Sequence, residues 1–196
     1  MQGEQLDEAL ALDVRNKIYR TITRNPGLHF RELQRRTKIA TGSLQYHLEF
    51  LQKRHLIRTD KQGKFVRYYS VRGKQLGEQQ QVMNLLRQES LRKIMLLLLT
   101  KKRANNEKIA ETVGLSPSTV SWHMLKLVEA GVVEKRRVGR KTFFYIVNPD
   151  ETAQLLSSYK RSFLDEMVNG FVAMWEELEV PEQSRPAGAG KKAISP

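Results

Sequence analysis

Ser116-Pro117-Ser118-Thr119-Val120-Ser121-Trp122-His123-Met124-Leu125-Lys126-Leu127 decides how this chain folds. Ser116 is placed to accept a backbone N–H as an N-cap, and Pro117 suits the first helical position, where its missing N–H costs nothing. Val120, Met124 and Leu127 recur at helical spacing, with His123 on the edge of that apolar stripe. Ser118, Ser121, Trp122 and Leu125 occupy the opposite face. They donate, accept or stack, unlike the long charged side chains of an ordinary solvated face. Just upstream, Asn106 to Val113 reads as a shorter helix, and Gly114 supplies the left-handed residue that most easily ends one. Short helix, tight turn and capped helix make a helix-turn-helix whose second helix is shaped for insertion into something.

Working outward, the composition narrows the partner. The 196 residues carry 34 Lys+Arg against 21 Asp+Glu, a net charge of +13. Such an excess attracts polyanions at long range, which means nucleic acid or an anionic membrane surface. The most apolar run, Ile94 to Leu99, is far too short to span a bilayer, and no signal peptide is evident. With no cysteine there is no disulfide framework and no thiolate metal site. The expectation is a soluble protein, cytoplasmic and nucleoid-associated, that uses no cofactor.

The helix-turn-helix occurs twice. His47 falls on His123 and Leu51 on Leu127, 76 residues apart each time, and the same offset aligns the surrounding sequence without a gap. Lys17-Ile18 falls on Lys93-Ile94, Gly63 on Gly139, Tyr69 on Tyr145 and Val71 on Val147. Conservative matches lie between them, including Leu33 with Ile109, Leu44 with Val120, Tyr46 with Trp122 and Leu48 with Met124.

In the first copy, helices are predicted at about Val14–Arg24, Phe30–Thr37 and Thr41–Arg54, then strands at Leu56–Thr59 and Phe65–Val71 around Gly63. The second copy repeats the order: a helix at about Leu91–Thr100, the helix-turn-helix, and strands at Val132–Glu134 and Thr142–Val147 around Gly139. Three helices followed by a basic hairpin is a winged helix. The predicted class is mainly α with small β-wings. Its predicted divisions are an N-terminal winged helix-turn-helix (residues 1–72), a connecting helix (73–89) and a second winged helix-turn-helix (90–148). A C-terminal amphipathic helix (149–180) and a disordered tail (181–196) follow. Leu155, Leu156, Tyr159, Phe163, Met167, Phe171, Met174, Trp175 and Leu178 give the C-terminal helix an apolar stripe wider than one domain needs; it closes over its own domain, lines an effector pocket or, the preferred reading, makes a homodimer contact.

Thr119-Val120-Ser121-Trp122-His123-Met124-Leu125-Lys126-Leu127-Val128-Glu129-Ala130-Gly131-Val132-Val133 resembles the recognition-helix signature of ArsR/MarR-like winged-helix transcription regulators. Asn25 to Leu33, followed by Leu44-Gln45-Tyr46-His47-Leu48, is similar to the first half of archaeal regulators with two winged helices in tandem. The resemblance covers roughly residues 10–148. It implies sequence-specific binding of double-stranded DNA and control of transcription. Two departures stand out. Lys38 occupies the place of Gly114, so the first turn is made differently or with strain. The cysteine-bearing helix of metal-sensing relatives is missing.

Turn geometry presents the first half of each third helix to a major groove. The expected base contacts are Gln45, Tyr46 and Glu49 in the first copy and Ser118, Ser121 and Trp122 in the second. Gln pairs bidentately with adenine and Glu accepts from cytosine. Ser43 and Thr119, at the helix starts, are expected on phosphates, as are Arg35, Arg36 and Lys38 around the first turn. Lys61, Lys64 and Arg67 in the first wing, and Arg136, Arg137, Arg140 and Lys141 in the second, complete the expected phosphate contacts. His47 and His123 each stand alone, without a second ligand at helical spacing, so packing is expected there and no metal. No Gly-rich phosphate loop or paired carboxylates point to an enzyme. Two other readings stay open: an interaction module of the transcription machinery, and a non-specific chromatin or RNA binder.

Overall fold

The structure is a computed structural model that describes residues 12–62, 65–71 and 79–179. Residues 1–11, 63, 64 and 72 of the predicted first winged helix, residues 73–78 of the predicted connecting helix and the predicted tail (181–196) lie outside the described residues.

The first unit opens with α1 (Asp13–Arg24), whose Ile18 and Ile22 are fully buried. Asn25 ends it, donating from Nδ2 to the Thr21 carbonyl. Gly27 then turns the chain at φ +80 into β1 (Leu28–His29), a two-residue strand. Next come α2 (Phe30–Thr37) and α3 (Thr41–Lys53), with Leu33, Leu44, Leu48 and Leu51 fully or almost fully buried. Each such side chain contributes roughly 2 kcal/mol by leaving water. The wing is β2 (Ile57–Gln62) and β3 (Phe65–Ser70), paired antiparallel with Ile57 opposite Ser70. β1 adds to the other edge of β3, Leu28 opposite Tyr68.

The linker is helical over α4 (Gln79–Leu86) and breaks before α5 (Glu89–Lys101). α5 is buried nearly all round, at Leu91, Ile94, Met95, Leu96, Leu97 and Leu98, and so forms the axis of the second core. Around it pack α6 (Asn106–Val113), α7 (Pro117–Glu129) and the wing of β4 (Val133–Val138) and β5 (Lys141–Ile146). The repeat persists in detail. Ala104 bridges Phe144, the counterpart of Leu28 opposite Tyr68, so the third strand survives as one pair of residues. The wing strands run further toward the tips than the apolar pattern predicts, because backbone pairing continues through the exposed basic residues.

The two first turns are alike. Lys38 adopts the left-handed conformation at φ 56, as Gly114 does at φ 72. The expected alternative was a different turn or strain, and strain is what the chain accepts.

The predicted single C-terminal helix is instead three: α8 (Pro149–Ser158), α9 (Lys160–Phe163) and α10 (Glu166–Glu179). Leu164 takes φ 53 and Asp165 accepts the Met167 amide, starting a new helix that folds back on α5 and α8. Arg92 of α5 holds this corner through Nε to Asp165 Oδ2, 2.7 Å. No helix among the described residues is long and apolar enough to cross a membrane.

Polar contacts join the units. Arg87, between α4 and α5, donates from Nε to the Pro26 carbonyl (2.9 Å), from Nη1 to the Ser162 carbonyl (2.8 Å) and from Nη2 to Ser162 Oγ (2.9 Å). Its guanidinium lies 4.7 Å from the Phe163 ring centre. Burial, only partly countered by the Glu32 carboxylate, pushes Arg87 down to about 9, and it stays charged at neutral pH. Arg36 donates to the same Ser162 carbonyl at 2.6 Å. On the far side of Gly27, the buried Tyr69 hydroxyl donates to Asn84, and Asn84 and Gln80 donate to Asp60.

Candidate nucleic-acid interface

Each third helix buries one stripe and leaves an unusual face outside. In α7, Val120, Met124 and Leu127 go to the core, while Trp122 and Leu125 remain 59% and 57% exposed. In α3, Leu44, Leu48 and Leu51 go inward and Tyr46 is 61% exposed. Large apolar side chains at the centre of an otherwise polar face mark a contact surface. The start of α7 is built as expected: Ser116 Oγ accepts the Thr119 amide at 3.2 Å and Pro117 occupies the first turn. α3 begins at Ala40 without a side-chain cap, and Gln34 ties it to α2 through a 2.7 Å bond to Thr41 Oγ1.

The aromatic residue and the histidine beside it form an edge-on pair in both copies. Tyr46 and His47 are 5.2 Å apart at 69°, and Trp122 and His123 are 5.0 Å apart at 61°. Both histidines have Nδ1 buried with no partner. Burial lowers both imidazoles from the ordinary range, helped by Arg15 at His47 and Lys126 at His123. In both copies the outward ring thus rests edge-on against an imidazole that is itself turned toward the core. Lys126 stands 5.7 Å from the Trp122 ring centre and donates to Gln88, which limits the ring's freedom further.

Gln45, Glu49, Ser118 and Ser121 are also exposed on these faces. Gln45 donates to Glu49 at 3.3 Å, so in the free protein each already holds the other. Ser121 donates to the Pro117 carbonyl and accepts from Asn106 Nδ2 at 3.1 Å. Asn106 was not picked out from sequence. Its neighbour Asn105, which accepts the Lys108 amide as the cap of α6, was the available signal that this corner is built with side-chain amides.

Wing and helix meet at that corner. Lys141 reaches Glu107 at 3.8 Å, one residue from the Asn106 that braces Ser121, so the wing tip, the start of α6 and the face of α7 adjoin. In the first unit, Phe65 stacks on His29 at 5.3 Å, which ties the wing to the start of α2 in the same place. Arg137 and Arg140 are exposed in the second wing; Arg137 contacts the Gly139 carbonyl, and Arg140 has no partner among the described residues. Arg136 pairs with Glu134 and lies 5.0 Å from the Tyr145 ring centre, nearer the base of the wing. Arg103, over Phe143 at 5.0 Å, extends the basic surface beyond what the wing sequence suggested. Arg35, Lys38, Ser43 and Lys61 are exposed and Thr119 is half-buried, whereas Lys64 lies outside the described residues.

Two expected phosphate contacts are corrected. Arg67 is 4% exposed and donates from Nη1 to the Gly27 carbonyl at 2.7 Å, because at this point in β3 the alternation of the strand turns the side chain inward. Arg36 is committed to Asn25 Oδ1 (2.8 Å) and the Ser162 carbonyl, binding α2 to α9. Both guanidiniums hold the fold together and neither is free for a ligand.

Residues 12–82 match a family described as an N-terminal HTH domain, and residues 87–134 match one described as winged helix-turn-helix DNA-binding. Together with the repeated three-helix-and-wing architecture, these matches make the chain a tandem winged helix-turn-helix protein. It is homologous to an archaeal protein, MJ1398 of Methanocaldococcus jannaschii, named an uncharacterized HTH-type transcriptional regulator. The two are 33% identical over 143 residues, 72% of this chain and 36% of that relative, so the chain spans only about a third of the relative's length.

Proposed function

We propose that this chain is a transcriptional regulator that binds double-stranded DNA sequence-specifically, with α3 and α7 in major grooves and the wings on the phosphate backbone. The observation that carries this reading is the pair of outward aromatics, Tyr46 and Trp122, at equivalent places on two recognition helices beside basic wings. Gln45, Glu49, Ser118 and Ser121 read bases alongside them, while Arg35, Lys38, Ser43, Lys61, Lys64 and Thr119 contact phosphates together with the second wing. The outward residues differ between the copies, so the combined site is asymmetric within one chain. On α10, Met167 and Met174 are exposed two turns apart with Gly170 between them, and a second copy docks on this face to pair two such sites. Its place is the cytoplasm, on the nucleoid.

Selection from a random duplex library, followed by binding across a salt series, tests the proposal. The logarithm of affinity should fall steeply with the logarithm of salt concentration. Trp122→Ala should cost about 1–3 kcal/mol on the selected sequence and little on random DNA. Arg140→Ala should weaken all duplexes alike and flatten the salt slope by about one unit. Enrichment of no sequence, or equal effects of the two substitutions on selected and random DNA, would refute the assignment.

A further inference from the structure

The fold contains one groove twice, and the two copies have opposite chemistry. In the second unit, Lys93, Leu96, Leu97 and Thr100 of α5 and Thr112 of α6 line a channel, and α10 lies along it with Phe171 and Met174. The repeat offset maps these five positions onto Lys17, Arg20, Thr21, Arg24 and Arg36, and those residues line a channel of about 510 Å³ along α1. Among the described residues no helix takes the place of α10 there.

Two leucines and two threonines in one groove are replaced by Arg20 and Thr21, and by Arg24 and Arg36, in the other. Arg36 is tied to Asn25 and Ser162, which leaves Lys17, Arg20 and Arg24 as three open cations against one acid in the channel, Asp13. Lys17, Arg20 and Arg24 are exposed, and among the described residues none makes an ion pair. At helical rise they stand about 4.5 and 6 Å apart along the axis, in one row. Like charges at these spacings destabilise the helix that carries them, so the row is costly unless something neutralises it.

The groove is not part of the reading surface. In the second unit α10 packs beside α5 and walls the equivalent channel, while Trp122 and Leu125 stay open to solvent. A duplex held on α3 is therefore not what the row faces. The second unit also shows what packs on this side of the first helix, since there the neighbour along α5 is itself a helix, α10. We infer that the α1 channel is a docking site for an acidic helix of a partner protein, whose carboxylates at i, i+3 and i+7 meet Lys17, Arg20 and Arg24.

The test uses the full chain and a fluorescent helical peptide with glutamates at i, i+3 and i+7 and no basic residue. A companion peptide of the same composition carries a central proline that breaks the helix. Arg20→Glu/Arg24→Glu reverses the row, and Arg20→Gln/Arg24→Gln neutralises it at less risk to folding. Lys53→Glu/Lys101→Glu makes the same change in net charge at two exposed helix ends elsewhere. The wild type should bind the helical peptide at least about tenfold more tightly than either row variant, and than it binds the proline peptide, with the control pair within about threefold of wild type. Equal losses in the row and control variants would reduce the effect to bulk charge. Equal binding of both peptides would remove the groove from the explanation. Loss of duplex affinity in the row variants but not in the control would make the row a phosphate surface, and loss of self-association would make its occupant a second copy. Any of these four results overturns the inference.

Discussion

Arg87→Ala removes the central contact between the units, and its cost can be worked from the bonds it makes. Three hydrogen bonds from a charged donor contribute roughly 1.5 kcal/mol each, and the contact with Phe163 about 1 kcal/mol more. Keeping a guanidinium largely out of water offsets roughly 2–3 kcal/mol of that sum. The net loss on truncation is about 3 kcal/mol, because the Pro26 carbonyl and Ser162 Oγ are then left without their donor. Arg87→Met should cost less, about 1–2 kcal/mol, since it removes the same charge but keeps a stem against Phe163.

The stronger expectation concerns cooperativity. Both tryptophans, Trp122 and Trp175, lie in the second unit, so fluorescence reports that unit alone while far-ultraviolet circular dichroism reports both. In urea the wild type should give coincident transitions by the two probes. Arg87→Ala should separate them, with the circular dichroism change beginning at lower urea as the first unit melts alone. Its core is a cluster of its own around Ile18, Leu33, Leu44 and Leu51. Coincident transitions in Arg87→Ala, together with losses below about 0.5 kcal/mol for both substitutions, would show that Arg87 does not couple the units.

Other perturbations follow from single sites. Gly27→Ala places a Cβ at φ +80 and 2.9 Å from the Tyr69 hydroxyl oxygen, so it should cost roughly 2–4 kcal/mol in urea unfolding; a loss below about 1 kcal/mol would show that this corner yields. Lys38→Gly relieves the left-handed strain and should stabilise the chain by about 1 kcal/mol while weakening duplex binding; a lower melting temperature would contradict the strain. His29, His47 and His123 are all held below the ordinary histidine value, chiefly by burial. Their unfolded forms take up protons first, so stability is fully present above about pH 7 and falls as pH drops through 6.5. The limiting slope is about 1.4 kcal/mol per pH unit for each histidine, and the curve flattens below each folded value. An unfolding midpoint unchanged between pH 7.5 and 5.5 would refute that account.

How much of this was legible in the sequence depends on whether a feature is local. The helix starts, the apolar stripes and the hairpins follow from spacing, and the repeat made each copy a check on the other. The break between α8 and α10 was not legible, because it is made by tertiary contacts. Nothing about Leu164 as a residue type favours φ 53, and Asp165 acts as a corner only because Arg92, 73 positions away, meets it. Arg36 and Arg67 were misread for a related reason. In a chain of net charge +13, an arginine beside a turn or in a wing looks like one more phosphate contact. The repeat held the correction in advance. The counterpart of Arg36 is Thr112 and that of Arg67 is Phe143, neither of them basic, whereas Arg137 and Arg140 of the second wing fall on Lys61 and Lys64 of the first. A cation at a position that the other copy fills with an uncharged side chain serves something only its own copy must do. For Arg67 that is holding Gly27, for Arg36 it is reaching Ser162, and for Arg20 and Arg24, opposite Leu96 and Thr100, the same logic points to a partner outside the chain.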